Sequence, residues 1–109
     1  MKVKTSEASG AALDWMVAKC EGRTWGAVES FIAYHDDGEM NYSTNWAQGG
    51  PIIEREGIML EQWKTTGYWQ AANSLVTVAL SGPTPLIAAM RCYVTSKLGE
   101  EVEIPEELK

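Results

Sequence analysis

The order of hydrophobic patterns along the chain predicts an α+β layered domain. Its small, mainly antiparallel sheet is covered by an N-terminal helix, a short middle helix and a C-terminal helix. Three observations carry this expectation. Apolar residues recur at helical spacing near the start of the chain and again near its end. Between residues 58 and 80 lie three short runs with strand character, separated by turn residues. A chain of 109 residues closes one core only, so these elements share it as a single domain, residues 1–109.

The first helix is expected from Ser6 to Gly22, capped by Ser6 or Ser9, because Leu13, Met16, Val17 and Cys20 fall at i, i+3, i+4 and i+7. Trp15 lies roughly 160° around from that stripe, which assigns it to a second layer, an interface or solvent. From Arg23 to Met40 the signals conflict: Trp25, Val28, Ile32 and His35 fit a helix, whereas Phe31 to Tyr34 fit a strand equally well. His35-Asp36-Asp37-Gly38 has the chemistry of a turn. Asn45 can cap the next helix with Gln48 three residues on, as in a capping box. Gly49-Gly50-Pro51 then implies either a kink or a fresh helix start at Pro51.

Ile58 to Trp63, Tyr68 to Ala72 and Leu75 to Leu80 read as an antiparallel meander, with Lys64-Thr65-Thr66-Gly67 as the first turn. Ser81-Gly82-Pro83-Thr84-Pro85 stops the last strand and starts a helix, Thr84 as N-cap and Pro85 in first position. That helix runs to Leu98, buries Leu86, Ala89, Met90, Tyr93 and Val94, and closes at Gly99. Residues 100–109 form an acidic tail around Val102, Ile104 and Leu108, expected as a short strand or a docked segment that frays at its end.

Composition removes several classes of function. The net charge of −6 provides no basic field to displace counterions from DNA or RNA, so polymeric nucleic acid is not the expected partner, although a local basic pocket for one small anion needs only two or three donors. No apolar run approaches the ~20 residues of a membrane span, and Met1-Lys2-Val3-Lys4 does not open a signal-peptide core. A cytoplasmic protein is expected, and Cys20 and Cys92 then read as small buried apolar residues instead of a disulfide.

Enzymes announce themselves by a nucleophile with its base, paired carboxylates, a metal cluster or a cofactor loop. The chain has no G-x-S-x-G, P-loop or G-x-G-x-x-G motif, and no cofactor is expected. The sole histidine, His35, stands beside Asp36 and Asp37 without cysteine or a second histidine, so it reads as part of a polar turn and no metal is expected. Glu54 and Glu56 are about 200° apart on a helix and cannot converge.

A binding site is better supported, because five Trp, four Tyr and one Phe offer surfaces on which planar bases stack at about 1–3 kcal/mol each. Tyr42, Ser43, Thr44, Asn45, Trp46 and Gln48 bring rings, hydroxyls and amides to one helix start, Trp69 adds a ring, and Arg55 and Arg91 add charge. The bland alternative assigns Tyr42 and Trp46 to pinning the loop, Ser43 to Asn45 to capping, and Arg91 to pairing with a glutamate.

SGAALDWMVAKCEG, YSTNWAQGGPIIEREGI and GPTPLIAAMRCYVTSKLGEEVEIPEEL, together about half of the chain, resemble the NinX-like proteins of lambdoid phages and prophages. A looser pattern of helix, Y-S-T, helix, W-x-A strand and an Arg-bearing helix after Gly82-Pro83-Thr84 is similar to a phage domain described as an α/β/α sandwich. The resemblance implies an accessory phage product acting in the cytoplasm of the infected bacterium, and implies no reaction. With it, the expected function is non-catalytic counter-defence: sequestration of a small nucleotide-derived immune signal in a pocket at a homo-oligomer interface, since one small core encloses little space. The alternative is a module that blocks or redirects a host protein, with the acidic tail as its arm. An enzyme that degrades such a signal ranks third.

Overall fold

The Ser81 to Pro85 punctuation starts the helix around which the fold is built. In the computed structural model, which describes residues 1–23, 25–76 and 78–108, the chain runs β1 (Lys2–Lys4), α1 (Gly10–Cys20), α2 (Val28–Asp36), α3 (Trp46–Glu56), β2 (Met59–Gln62), β3 (Trp69–Ala72), β4 (Leu80–Gly82), α4 (Pro85–Leu98) and β5 (Glu101–Glu103), then a 3-10 turn over Glu106–Leu108. This is the mixed α+β fold that the patterning predicts. Thr84 caps α4, its hydroxyl accepting the Ile87 N–H at 3.1 Å, and Gly99 ends it at φ 88°.

All five residues of the expected stripe on α4 are buried, and so are Ala88 and Cys92. A helix buried on two sides must be an inner layer. One side of α4 carries the sheet and the other carries α1 and α3, so the first and middle helices cover the sheet through α4. Close approach depends on small residues: a Cβ on Gly82 would stand 2.7 Å from the Ala88 backbone nitrogen.

The sheet has strand order β2-β3-β4, antiparallel throughout. Leu60, Ala71 and Leu80 lie in register and face α4, while Met59 and Glu61 project from the opposite face into solvent. The third strand differs from the sequence expectation. It forms at Leu80–Gly82, because Asn73 Oδ1 accepts the Leu75 N–H at 2.9 Å and turns the chain out of the ladder. Leu75 and Val78 are left 61% and 74% exposed. Thr77, inside the expected strand, lies outside the described residues, as do Thr24 and Lys109.

The N-terminal helix begins at Gly10, not Ser6, because Lys2–Lys4 is already a strand and the Glu7 N–H turns back to Lys4 O at 3.0 Å. Trp15 is half-buried at the core rim, with the Lys19 ammonium 5.3 Å from its ring centroid. β1 pairs with β5 in antiparallel register, Val3 opposite Val102 and lysines opposite glutamates, which docks the acidic tail and buries Val102, Ile104 and Leu108.

The conflicted region resolves into α2. Its one fully buried side chain is Phe31, held edge-on by Trp25 (centroids 5.0 Å, 77°) and stacked on His35 at 5.6 Å. The turn expected at His35 is displaced: His35 and Asp36 belong to the helix, and the reversal comes at Gly38, φ 83°. α3 does not restart at Pro51, which sits inside the helix that Asn45 has already begun. Gly49 lets α3 press against its neighbours, since a Cβ there would stand 2.4 Å from Tyr42 O and 2.6 Å from Leu86 Cδ2.

Candidate functional site

The turn between α2 and α3 is fastened from below by one carboxylate. Asp14 of α1 is 2% exposed; its Oδ1 accepts the Ser43 N–H at 2.8 Å and its Oδ2 meets His35 Nε2 at 2.8 Å. A buried carboxylate needs such partners, and here they come from two elements distant in sequence. His35, expected in a polar turn, is thus a strut between α1 and α2. Gln48 fastens the turn from the other side, accepting the Asn41 N–H at 2.6 Å and donating to Gly38 O at 2.7 Å. This replaces the expected capping-box return to Asn45, whose own Oδ1 accepts the Ala47 N–H at 2.9 Å.

The nine residues singled out from sequence do not converge. Tyr42 and Ser43 are buried, and burial pushes the Tyr42 hydroxyl above its ordinary value. Ser43 Oγ is enclosed without a hydrogen-bond partner among the described residues. Thr44, Asn45 and Trp46 remain exposed at the start of α3, with the Trp46 ring lying along the helix near Gly50. Trp69 is half-buried on β3, opposite Gly82. Arg91 is committed inward: Nε donates to Ala8 O and Nη1 to Ser81 O, each at 2.8 Å, which ties α4 to β4 and to the segment before α1. It pairs with carbonyls, where the bland sequence alternative named a glutamate.

Arg55 is engaged as well. It makes two bonds to Glu21 (2.6 and 3.2 Å) and one to Glu56 (2.8 Å), and its Nη2 meets the Tyr93 hydroxyl at 3.1 Å. The guanidinium holds both glutamates below the usual carboxylate range. Burial, with Glu21 beside it, pushes the Tyr93 hydroxyl well up. The cluster joins α1, α3 and α4 and is a structural clamp.

A cleft of about 710 Å³ opens instead beside the fastened turn, lined by Arg23, Trp25, Ser30, Tyr34, Glu39 and Met40 with Gly26. Ser30 and Tyr34, four apart, share one face of α2. Trp25 is held by Phe31, which His35 and thereby Asp14 position. Arg23 lies close enough to influence Tyr42 and Glu21, and it makes no ion pair among the described residues; neither does Glu39. Two rings, a hydroxyl, a cation and an anion therefore face one space. None of the nine expected residues lines it, and none lines a second cleft of about 650 Å³ between the loop before β4 and the β1–β5 pair.

Sequence reasoning missed these residues because they sit in the segment where helix and strand signals conflict. A helix placed at Val28 would have put Ser30 and Tyr34 on one face. Among the described residues no helix is long and apolar enough to cross a membrane, and no group of three or more His, Cys, Asp or Glu is placed to hold a metal ion.

The family model described as "Bacteriophage P22, NinX" matches residues 4–97, a span that contains the Asp14 fastening and the whole cleft. No curated protein matches the chain.

Proposed function

The chain belongs to the bacteriophage P22 NinX family and is a phage accessory protein; from this we propose that it acts in counter-defence, binding and sequestering a small nucleotide-derived immune signal without chemical turnover. The observation that carries the reading is the α2 cleft, where the rings of Trp25 and Tyr34 share a space with the Arg23 guanidinium. Planar bases stack on such rings, and a guanidinium suits phosphate oxygens. A fold fastened by Asp14, His35 and Gln48 holds these walls in place before a ligand arrives, which lowers the ordering entropy that binding must overcome. The cleft is open on one side, and a second copy of the chain laid over it would enclose the ligand. The setting of this activity is the cytoplasm of the infected bacterium.

Titration with cyclic oligonucleotides and ADP-ribose derivatives, followed by Trp fluorescence and thermal shift, tests the reading. A saturable change, lost in Trp25→Ala and accompanied by recovery of intact ligand from denatured protein, is expected. Turnover at substoichiometric protein would replace sequestration with catalysis.

A second reading, a module that blocks a host protein, is favoured by one observation: Met59, Trp63 and Tyr68 on the hairpin beside the uncovered sheet face are 67%, 51% and 49% exposed. The acidic tail is no free arm for it, because β5 is paired with β1. Retention of a host protein by the wild type and its loss in Trp63→Ala, with the nucleotide panel silent, would select this reading.

A further inference from the structure

We propose that the α2 cleft selects guanine bases and that the Glu39 carboxylate is the group that reads them. The inference rests on the sequestration reading and deepens it. Glu39 is exposed in the cleft, its backbone held by an N–H bond to Tyr34 O at 3.0 Å, and its side chain makes no hydrogen bond or ion pair among the described residues. Arg23, across the same space, does not neutralise it, because no ion pair joins them within 4.0 Å. A cleft whose cation and anion remain apart is complementary to a ligand with an anionic end and a separate donor-rich edge.

Among the bases guanine alone has that edge. Its N1–H and N2–H₂ stand side by side, and the two oxygens of one carboxylate accept both in a charge-assisted pair. Adenine and cytosine each place a ring-nitrogen lone pair next to their amino group, and uracil flanks its single N–H with two carbonyls. Each of these turns at least one acceptor toward the carboxylate, and a mismatched pair leaves a desolvated acceptor facing negative charge. Trp25 and Tyr34 stack any base alike, so they supply affinity without choice, and Arg23 takes the phosphate. Selection therefore falls to Glu39.

Calorimetric titration of the full chain with GMP, IMP, AMP, CMP and UMP tests this. A good bidentate contact discriminates by about 10- to 100-fold, so GMP is expected to bind that much tighter than AMP, with IMP, which lacks the 2-amino group, in between. Glu39→Gln is expected to erase the GMP preference while AMP binding stays, and Trp25→Ala to weaken every nucleotide. Equal affinity for GMP and AMP, or a GMP preference that survives Glu39→Gln, overturns the assignment of guanine while nucleotide binding stands. Silence toward all five nucleotides and toward cyclic dinucleotides overturns the sequestration reading and this inference with it. A melting curve of Glu39→Gln matching the wild type's verifies that the exposed substitution leaves the fold intact.

Discussion

At the scale of single residues, Asp14 and Ser43 show how a buried polar group is made stable or left strained. Asp14→Ala would strand the Ser43 N–H and His35 Nε2, and a loss of about 2–3 kcal/mol is expected in urea denaturation. A loss below 1 kcal/mol would mean that water replaces the carboxylate. Ser43→Ala should do the opposite: its Oγ has no partner among the described residues, so stability is expected to stay level or rise. The two thiols give a pH prediction. Burial pushes both Cys20 and Cys92 from 9.0 to about 11. A group whose folded value is raised favours the folded state below its unfolded value and loses that contribution as pH rises through the folded one. The melting temperature is therefore expected to fall between pH 9 and 11, and the double variant Cys20→Ala/Cys92→Ala should flatten the decline; an unchanged decline in the double variant would assign it to other groups such as the tyrosines.

At the scale of elements, α3 separates two glycines that the sequence presents as equivalent. Gly49 has no room for a Cβ beside Tyr42 O, whereas a Cβ on Gly50 would meet only Trp46 Cε3 at an ordinary 3.8 Å. Alanine in a helix interior gains roughly 0.5–1 kcal/mol over glycine. Gly50→Ala is thus expected to raise the melting temperature, and Gly49→Ala to lower it by more than the same propensity gain, because the contact is with backbone that cannot step aside. Equal shifts in both would show that the backbone at Tyr42 yields to a Cβ on residue 49. The G-G-P string was legible as a disturbance of the helix. Its role in letting α3 approach Tyr42 and Leu86 was not, since close approach depends on a partner more than thirty residues away in the case of Leu86.

At the scale of the whole molecule, β1 and β5 close the domain across its length, with Val102, Ile104 and Leu108 buried in the shared core. Burying one such side chain contributes about 1.5–3 kcal/mol, so deletion of residues 101–109 is expected to lower stability by about 4 kcal/mol or more in chemical denaturation. An unchanged midpoint would show that the clasp adds nothing. Three of the four helices, the hairpin between β2 and β3 and the α4 punctuation were legible because each is written in local spacing. Strand β1 was not: three residues of alternating lysine and valine carry too little pattern until the glutamates of β5 stand opposite them.

The sequence by itself determined the α+β class, the capped central helix and the phage family, because hydrophobic period, N-cap chemistry and motif strings are local and survive without a partner. Only the tertiary structure decided where an open cleft lies. Arg55 and Arg91 look like free charges in the string, yet a carboxylate clamp and two carbonyls absorb them. Arg23 and Glu39, unremarkable in sequence, are the charges left facing a cleft. Whether a side chain is spent on the fold or left for a ligand depends on which groups the packed chain brings within about 3 Å of it, and no spacing rule along one strand of residues carries that information.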